Sequence, residues 1–442
     1  MTRATGTVVL GYGVTGKSVV QHLRAQGMKP RVLDTRAQPT STAGTDNVEV
    51  LWQVQEWPAE LLAKTQRVIV SPGLPLHHPL VQQAHVAGIA TASDIDLFMA
   101  KVDAPVIGVT GTNGKSTVVS LVGHLLKADG HACVVGGNLG VPALDLLDAP
   151  ADIYVLELSS FQLAHSAHLA LASAGLLNIS DDHRDWHGDF ASYKRAKKRI
   201  YMNADYCVGP LHSDRSVDVK VDVSAPGVNR WGVTDHENAL WLFCGDIPLI
   251  SVANLPLAGR HNIENCLWAL ALVEPWIEPR HAAQLLVGFQ GLPHRFESLS
   301  GPMDIHCIND SKATNVGATL AALEGFARNE TLILIAGGDS KHADLRPLGE
   351  AMQGRVRRLV TLGQDAATLN EVASASGVHW QQVATMDDAV SAAFEHAKAG
   401  DTVLLSPACA SLDMYANFAA RGDHFKQLIT QHTKAEQVAV RS

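Results

Sequence analysis

Cysteine is scarce and unpatterned in this chain: six residues, Cys133, Cys207, Cys244, Cys266, Cys307 and Cys409, with no Cys-x-x-Cys pair among them. That spacing argues against both a zinc site and a disulfide frame, so reduced cytosolic thiols are expected. No apolar run approaches the ~20 residues needed to cross a membrane. The apolar run before Gly11 is too short for a signal peptide. A cytoplasmic protein without a membrane span is therefore expected. Basic residues are outnumbered: 35 Lys and Arg against 44 Asp and Glu give a net charge of -9, which argues against nucleic acid or an acidic membrane as partner. A local basic patch for a small anion remains compatible with that balance. There is no low-complexity tract and no repeat of fixed period. Hydrophobic content of 46% with 18% charged residues leaves no case for global disorder.

A chain of 442 residues is too long for one ordinary core, and about three domains is the natural expectation. The stretch that organises the rest is Val106-Ile-Gly-Val-Thr-Gly-Thr-Asn-Gly-Lys-Ser-Thr117. An apolar strand runs into Gly111, Gly114, Lys115 and Ser116, and from Thr117 the apolar residues Val118, Leu121, Val122 and Leu125 fall at helical spacing. Strand, glycine loop and helix start make a phosphate cradle, because backbone N–H groups and the helix dipole converge on an anion. Lys115 would reach the terminal phosphates and Ser116 a magnesium ion. The loop is shorter than a standard Walker A sequence, whose first glycine is replaced by Val109. The alternative is a plain strand-to-helix turn with a solvated lysine.

The expected fold class is α/β in three domains. A Rossmann-like N-terminal unit occupies 1–93, a central P-loop-ATPase-like parallel sheet with a small β insertion 94–291, and a C-terminal Rossmann-like unit 292–442. The first unit carries Gly11-Tyr-Gly-Val-Thr-Gly16 between a short strand and a helix, with Asp34 ending the next strand. That is a dinucleotide fingerprint, although such glycines also serve packing alone. In the central unit, predicted strands near 134–135, 152–158 and 175–179 each end in polar residues, the layout of a parallel sheet with a site along one edge. Residues 205–256, rich in Pro, Gly and Asp, suggest the β insertion. Strand candidates at 305–308, 331–335, 358–362 and 402–405, with helical patterns between, form the third unit.

Glu157 at a strand end facing the phosphate loop is the expected second magnesium-side ligand, against the alternative of an exposed or capping glutamate. Asp182-His-Arg-Asp-Trp-His187 concentrates ionisable groups, and its two histidines four apart could share a helix face. A histidine pair without a third soft ligand is weak support for zinc. Arg195-Ala-Lys-Lys-Arg199 reads on its own as a solvated helix face. In the third unit, hydroxyls together with Lys312 and Lys341 at strand-to-helix turns suit an anionic carboxylate substrate, although each turn could be only a helix cap.

Taken in order, Val109-Thr-Gly-Thr-Asn-Gly-Lys-Ser-Thr117, Glu157-Leu-Ser-Ser-Phe-Gln162, Asn178-Ile-Ser with His183, Gly259-Arg-His-Asn262 with Asn265, and Leu292-Pro-His-Arg-Phe-Glu297 resemble the Mur ligase family. These are ATP-dependent amide-bond formers of peptidoglycan precursor synthesis. Asn309-Asp-Ser-Lys-Ala-Thr-Asn315 and Leu405-Ser-Pro-Ala-Cys-Ala-Ser-Leu-Asp413 resemble the D-glutamate-adding branch. The resemblance implies an ATP-dependent acid–amino-acid ligase that joins D-glutamate to UDP-N-acetylmuramoyl-L-alanine through an acyl phosphate, probed against a folylpolyglutamate-type ligase, an NAD-dependent oxidoreductase or a non-catalytic nucleotide-binding module as rivals. It implies that Val14, Thr15, Thr35, Arg36, Ser71 and Gly73 hold the UDP-sugar, with Asn138, Ser159 and Gln162 along the path to its acyl end. Gly111, Thr112, Asn113, Gly114, Lys115, Ser116 and Thr117 would hold ATP, with Asn262, Asn265 and Arg295 near the nucleotide. Thr314, Lys341, Ser411 and Phe418 would hold D-glutamate. Lys115, Glu157, His183 and Lys197 would be catalytic, and two Mg2+ would be bound by Ser116, Glu157, His183 and Lys197 as N6-carboxylysine. A monomer is expected.

Overall fold

The computed structural model describes residues 6–38, 48–213, 217–224, 226–257, 259–329 and 331–441. Its contacts divide the chain into two compact units, Met1–Asn254 with Cys266–Val287, and Leu255–Asn265 with Gly288–Ser442.

The first unit holds two sheets. In the N-terminal one the strands run in the order Val50–Leu51, Arg31–Leu33, Thr7–Leu10, Arg67–Val70, Ala90–Ala92, all parallel. Chain direction across the sheet reverses between Thr7–Leu10 and Arg67–Val70, and a crevice opens beyond the carboxyl ends of such a pair. The first glycine loop fills the turn after Thr7–Leu10. A Cβ on Gly16 would stand 2.0 Å from the Gly11 carbonyl oxygen, so no larger residue fits where helix Val14–Ala25 meets the strand.

The central sheet has nine strands. Its heart is Val106–Thr110, flanked by parallel Ile153–Glu157 and Ser173–Leu176 and buried along its length. The helix Lys115–Ala128 covers it with Val118, Val119, Leu121, Val122, Leu125 and Leu126, each buried side chain contributing about 1.5–3 kcal/mol of apolar burial. The fit is close: a Cβ on Gly123 would come 2.5 Å from Val135 Cγ2. The segment expected as an insertion is β-rich, and its strands continue this same sheet. Cys207–Pro210 and Val219–Val221 add in parallel, and Arg230–His236, Ala239–Cys244 and Ile247–Ser251 finish it as an antiparallel meander. Residues 214–216 and 225 of that stretch lie outside the described residues. Strand Ser173–Leu176 stops short of the expected 175–179, because Asn178 turns its amide to the phosphate loop. One continuous core, including Val9, Tyr12, Ile69, Phe98, Tyr154, Leu156 and Leu163, joins the two sheets of this unit.

The second unit is a six-stranded sheet in the order Glu297–Ser300, His306–Asn309, Thr402–Leu405, Leu332–Gly337, Val356–Leu362, Trp380–Gln382. Only the first pair is antiparallel. One core, with Leu334, Leu359 and Leu404, lies on one face, and another, with Ile335, Val390 and Phe425, on the opposite face, as alternation along buried strands requires.

Candidate active site

The phosphate loop is held in shape by its neighbour. Asn113 N–H donates to Asn178 Oδ1 at 2.9 Å, and Asn178 Nδ2 returns a bond to Asn113 O at 3.1 Å. The Thr112 hydroxyl accepts from Ser180 N–H at 3.0 Å and meets the Tyr193 hydroxyl at 2.9 Å. Gly114 caps the helix at φ +83°, a left-handed conformation that a side chain would strain. Lys115 folds its ammonium onto the loop's own carbonyls, Gly111 O and Thr112 O, both at 2.8 Å. A cation is thereby stationed where the first-turn N–H groups lack intrahelical partners.

Below the loop, Glu157 is buried at its strand end, accepting from the Ser116 hydroxyl on one oxygen and from Asn138 Nδ2 at 2.6 Å on the other. A hydroxyl and a carboxylate at hydrogen-bonding distance form an oxygen donor pair of the kind magnesium prefers, so these residues fit that ion. Sequence reasoning placed Asn138 on the sugar path; the structure ties its amide to Glu157.

Lys197 is 2% exposed, its Nζ donating to Gly111 O at 2.7 Å and lying 4.9 Å above the Tyr193 ring. Burial pushes the ammonium well below its ordinary pKa, the Lys115 charge adding to the effect. Lys198 next to it is only partly buried and lines a cavity with Asn178, Lys194 and His212. Lys197 therefore departs from the solvated face expected of its basic run, and so does Arg199, whose guanidinium donates to Leu163 O at 2.8 Å and to Ser166 O; Arg195 is exposed as expected. As an amine Lys197 offers no oxygen to a cation.

His183 and His187 do not share a helix face. The helix is the short Arg184–His187, and His183 precedes it at φ +53°. The two imidazoles instead flank Phe161, with ring centroids 4.8 and 5.6 Å away. Burial lowers the pKa of both, His187 to about 4, so neutral rings are favoured. Among the described residues, no three His, Cys, Asp or Glu side chains group as a ready-made metal site.

At the N-terminal sheet, Val14 and Thr15 open the helix after the glycine loop, and Thr35, Arg36, Ser71 and Gly73 follow the ends of neighbouring strands. Asp34 is committed: it accepts from Tyr12 N–H at 2.6 Å and takes both Nε and Nη2 of Arg36. Burial opposes its ionisation, but these bonds outweigh that and hold it below the ordinary carboxylate range. A carboxylate so engaged is poorly placed to accept a ribose diol, which weakens the NAD alternative. Ser159 and Gln162 form a capping box at the helix Ser160–His165.

In the second unit, Thr314, Lys341 and Ser411 stand on three loops at the carboxyl edge of the sheet, and Phe418 opens helix Phe418–Arg441 beneath the Lys312 ammonium, 4.1 Å from its ring centroid. Asn265 Nδ2 donates to Asn262 Oδ1 at 3.1 Å. Arg295 is half-buried, and its charge bears on Asp310. The residue that sequence reasoning missed is Arg421. Its buried guanidinium donates to Ser311 Oγ and O, to Gly337 O and to Cys409 O, one bond set for each of the three loops. The signal available was its position one helical turn after Phe418.

Residues 5–93 match the Mur ligase MurD-like N-terminal domain, 109–273 the Mur ligase middle domain and 294–409 the Mur ligase glutamate ligase domain. The chain belongs to the Mur ligase family. Among curated Mur ligases, the UDP-N-acetylmuramoylalanine–D-glutamate ligase of Nitrosococcus oceani is 44% identical over 97% of both chains. The protein of that name from Salmonella typhi is 41% identical over 95% of this chain and 97% of its own. Among solved structures, the UDP-N-acetylmuramate–alanine ligase of Thermotoga maritima superposes with a TM-score of 0.61 at 16% identity, covering 96% of this chain and 99% of its own. That likeness shows a shared Mur ligase fold.

Proposed function

We propose that this protein is an ATP-dependent ligase that joins D-glutamate to UDP-N-acetylmuramoyl-L-alanine, releasing ADP and phosphate in peptidoglycan precursor synthesis. The observation that carries the reading is near-full-length identity to relatives named for that reaction. The geometry of the first unit supports it, since a phosphate loop, a cation and an oxygen donor pair meet at the carboxyl ends of two adjacent parallel strands. We read 1–93 as the sugar-nucleotide segment, 94–291 as the ATP segment and 292–442 as the amino-acid segment, in a cytoplasmic monomer.

In this reading the substrate carboxylate takes the γ-phosphoryl group of ATP, and the D-glutamate amine then displaces phosphate through a tetrahedral intermediate. Two anions must meet in the first step. Lys115, freed from Gly111 O and Thr112 O, would turn to the terminal phosphates. Gly111, Thr112, Asn113, Gly114 and Thr117 would present backbone and hydroxyl donors to the phosphates, with Asn262, Asn265 and Arg295 toward the nucleoside. Ser116 and Glu157 would hold a magnesium ion, which supplies charge neutralisation at the phosphates. Once it has lost its proton, the buried Lys197 amine is a nucleophile for carbon dioxide. Its nitrogen would bond the carbon and release one proton, and the resulting carbamate would give a second magnesium near His183 the oxygens that the amine lacks. Val14, Thr15, Thr35, Arg36, Ser71 and Gly73 would grip the UDP-sugar, with Asn138, Ser159 and Gln162 toward its acyl end. Thr314, Lys341, Ser411 and Phe418 would hold D-glutamate.

The test is product analysis after incubation with UDP-N-acetylmuramoyl-L-alanine, ATP and D-glutamate, beside a folate acceptor as control. A UDP-sugar dipeptide formed with equimolar phosphate is expected. In Lys115→Ala, phosphate release dependent on both other substrates should fall by roughly 10²–10³-fold or more. Near-normal release would end the ATP assignment.

A further inference from the structure

The helix Asp94–Met99 opens with two carboxylates that have different employment. Asp96 is saturated: it accepts from Ser93 N–H and Oγ, and from the backbone N–H groups of Ala167 and His168, each at 2.8 Å. It fastens this helix to the end of helix Ser160–His165. Asp94 is as deeply buried, at 2% exposure, but has one side-chain partner. Its Oδ2 accepts from Gln162 Nε2 at 3.3 Å and its Oδ1 is buried with no partner in hydrogen-bond geometry, although the backbone N–H groups of Asp94 and Ile95 face the carboxyl. A carboxylate kept in that condition lies against the usual rule that buried polar atoms are satisfied, and it calls for a reason beyond anchoring. Burial also raises its pKa to about 6, a further cost of retaining it.

The reason lies in what Gln162 does with its other end. Its Oε1 accepts from Ser159 N–H at 3.0 Å and Ser159 Oγ at 3.2 Å, while its own N–H donates to Ser159 Oγ at 3.1 Å. An amide held by an acceptor at nitrogen and donors at oxygen has a single orientation. Without Asp94, the amide nitrogen loses its acceptor, and only the bonds to Ser159 hold the side chain in place. Ser159 is two residues beyond Glu157, on the turn that leaves the strand end bearing the phosphate loop's carboxylate. Gln162 is itself 4% exposed, so Ser159, partly exposed, is the member of the pair that faces outward.

We propose that Asp94 is a positioning residue for the acyl end of the sugar-linked substrate, acting through the Gln162 amide on the Ser159 turn. The proposal rests on the ligase reading above. It gives Gln162 a relay role besides its place toward the acyl end, and it assigns one determinant of sugar-substrate binding to the helix Asp94–Met99.

The experiment measures KM for each of the three substrates, kcat and Tm for wild type, Asp94→Ala, Asp94→Asn, Gln162→Met and the Asp94→Ala/Gln162→Met double variant. Asp94→Ala should raise KM for the sugar substrate roughly tenfold, the order of losing one hydrogen bond to a charged group, with KM for ATP and D-glutamate within about twofold. Asp94→Asn retains an oxygen for Gln162 Nε2 and should stay near wild type. The double variant should be no worse than the poorer single, because both break one relay. Asp96→Ala is the structural control: it should lower Tm without favouring any one KM. Should Asp94→Ala fail to fold, Asp94→Ser, a small polar replacement too short to reach Gln162, takes its place. Equal rises in all three KM values, no rise, or additive single effects would overturn the proposal while leaving the ligase reading intact. A wild-type protein that makes no UDP-sugar dipeptide would overturn both.

Discussion

Lys197 and Arg421 are both buried cations at the carboxyl edge of a parallel sheet, and both donate to loop carbonyls, yet burial acts on them differently. Lys197 is a point charge on a flexible stem, with its amine on Gly111 O beside the Lys115 charge, and it is driven well below its ordinary pKa. Arg421 is lowered too, but only to about 10, so its guanidinium stays charged at every physiological pH. The planar fork divides its donors among Ser311, Gly337 and Cys409, whereas an ammonium has no such spread. A buried lysine can surrender its proton and become reactive. A buried arginine can only hold things together. In the proposed ligase the edge of the first unit would serve chemistry, and the edge of the second would present its ligand groups on three loops that Arg421 ties together.

Exchanging the residue types should break this contrast most sharply at Lys197. Lys197→Ala should lose roughly 10²–10³-fold in kcat, with Tm little changed, and short carboxylates such as acetate should restore part of it by supplying the missing oxygens. Lys197→Arg should be as inactive and beyond rescue, because a guanidinium neither forms the carbamate nor vacates the space. Full activity of Lys197→Ala without added carboxylate would remove the residue from the site.

At Arg421 the expected loss is of stability first. Arg421→Ala strands four acceptors around a cavity and should cost about 2–4 kcal/mol, read by denaturant unfolding of the second unit's core. KM for D-glutamate should rise with it, since Thr314, Lys341 and Ser411 follow the loops that Arg421 ties. Arg421→Lys keeps the charge but not the fork, and it should fall between Arg421→Ala and wild type. An Arg421→Ala protein as stable as wild type would mean that the loops hold themselves.

The two cations also mark how far the sequence could be read. Strand positions, the glycine turns and the Lys115 loop follow from local spacing, because each is decided within a few residues by steric and dipolar rules. The separation of Lys197 from Lys198 was less visible, as only the fold decides which of two neighbouring lysines turns inward. Arg421 reaches Ser311 across 110 residues and Asn138 reaches Glu157 across 19, contacts that no periodicity announces. The β-rich stretch from Cys207 onward was legible as strands. Its edge-to-edge pairing with Ser173–Leu176 was not, since pairing partners are chosen by tertiary packing.

Asp310 gives the smallest and most selective test of the second edge. Its carboxyl feels Arg295's charge and is partly buried, accepting from Ser406 Oγ at 2.9 Å and from Phe296 N–H at 3.2 Å. Burial pushes its carboxyl up to about 7, above the ordinary 3.8. A group whose folded pKa is raised favours the native state most below its unfolded pKa, and that contribution is lost as pH rises through the folded value. Asp310→Asn mimics the protonated form. Its oxygen can still accept from Phe296, and Ser406, which also meets Thr319 Oγ1 at 3.1 Å, can turn its hydroxyl there and accept from the new amide. The stability of Asp310→Asn relative to wild type should therefore climb between about pH 4 and pH 8, by on the order of 1–3 kcal/mol, in paired thermal melts across that range. Acid effects from exposed carboxylates are common to both proteins and cancel in the difference. A gap that stays constant with pH would show that Asp310 ionises in the fold as readily as in the open chain.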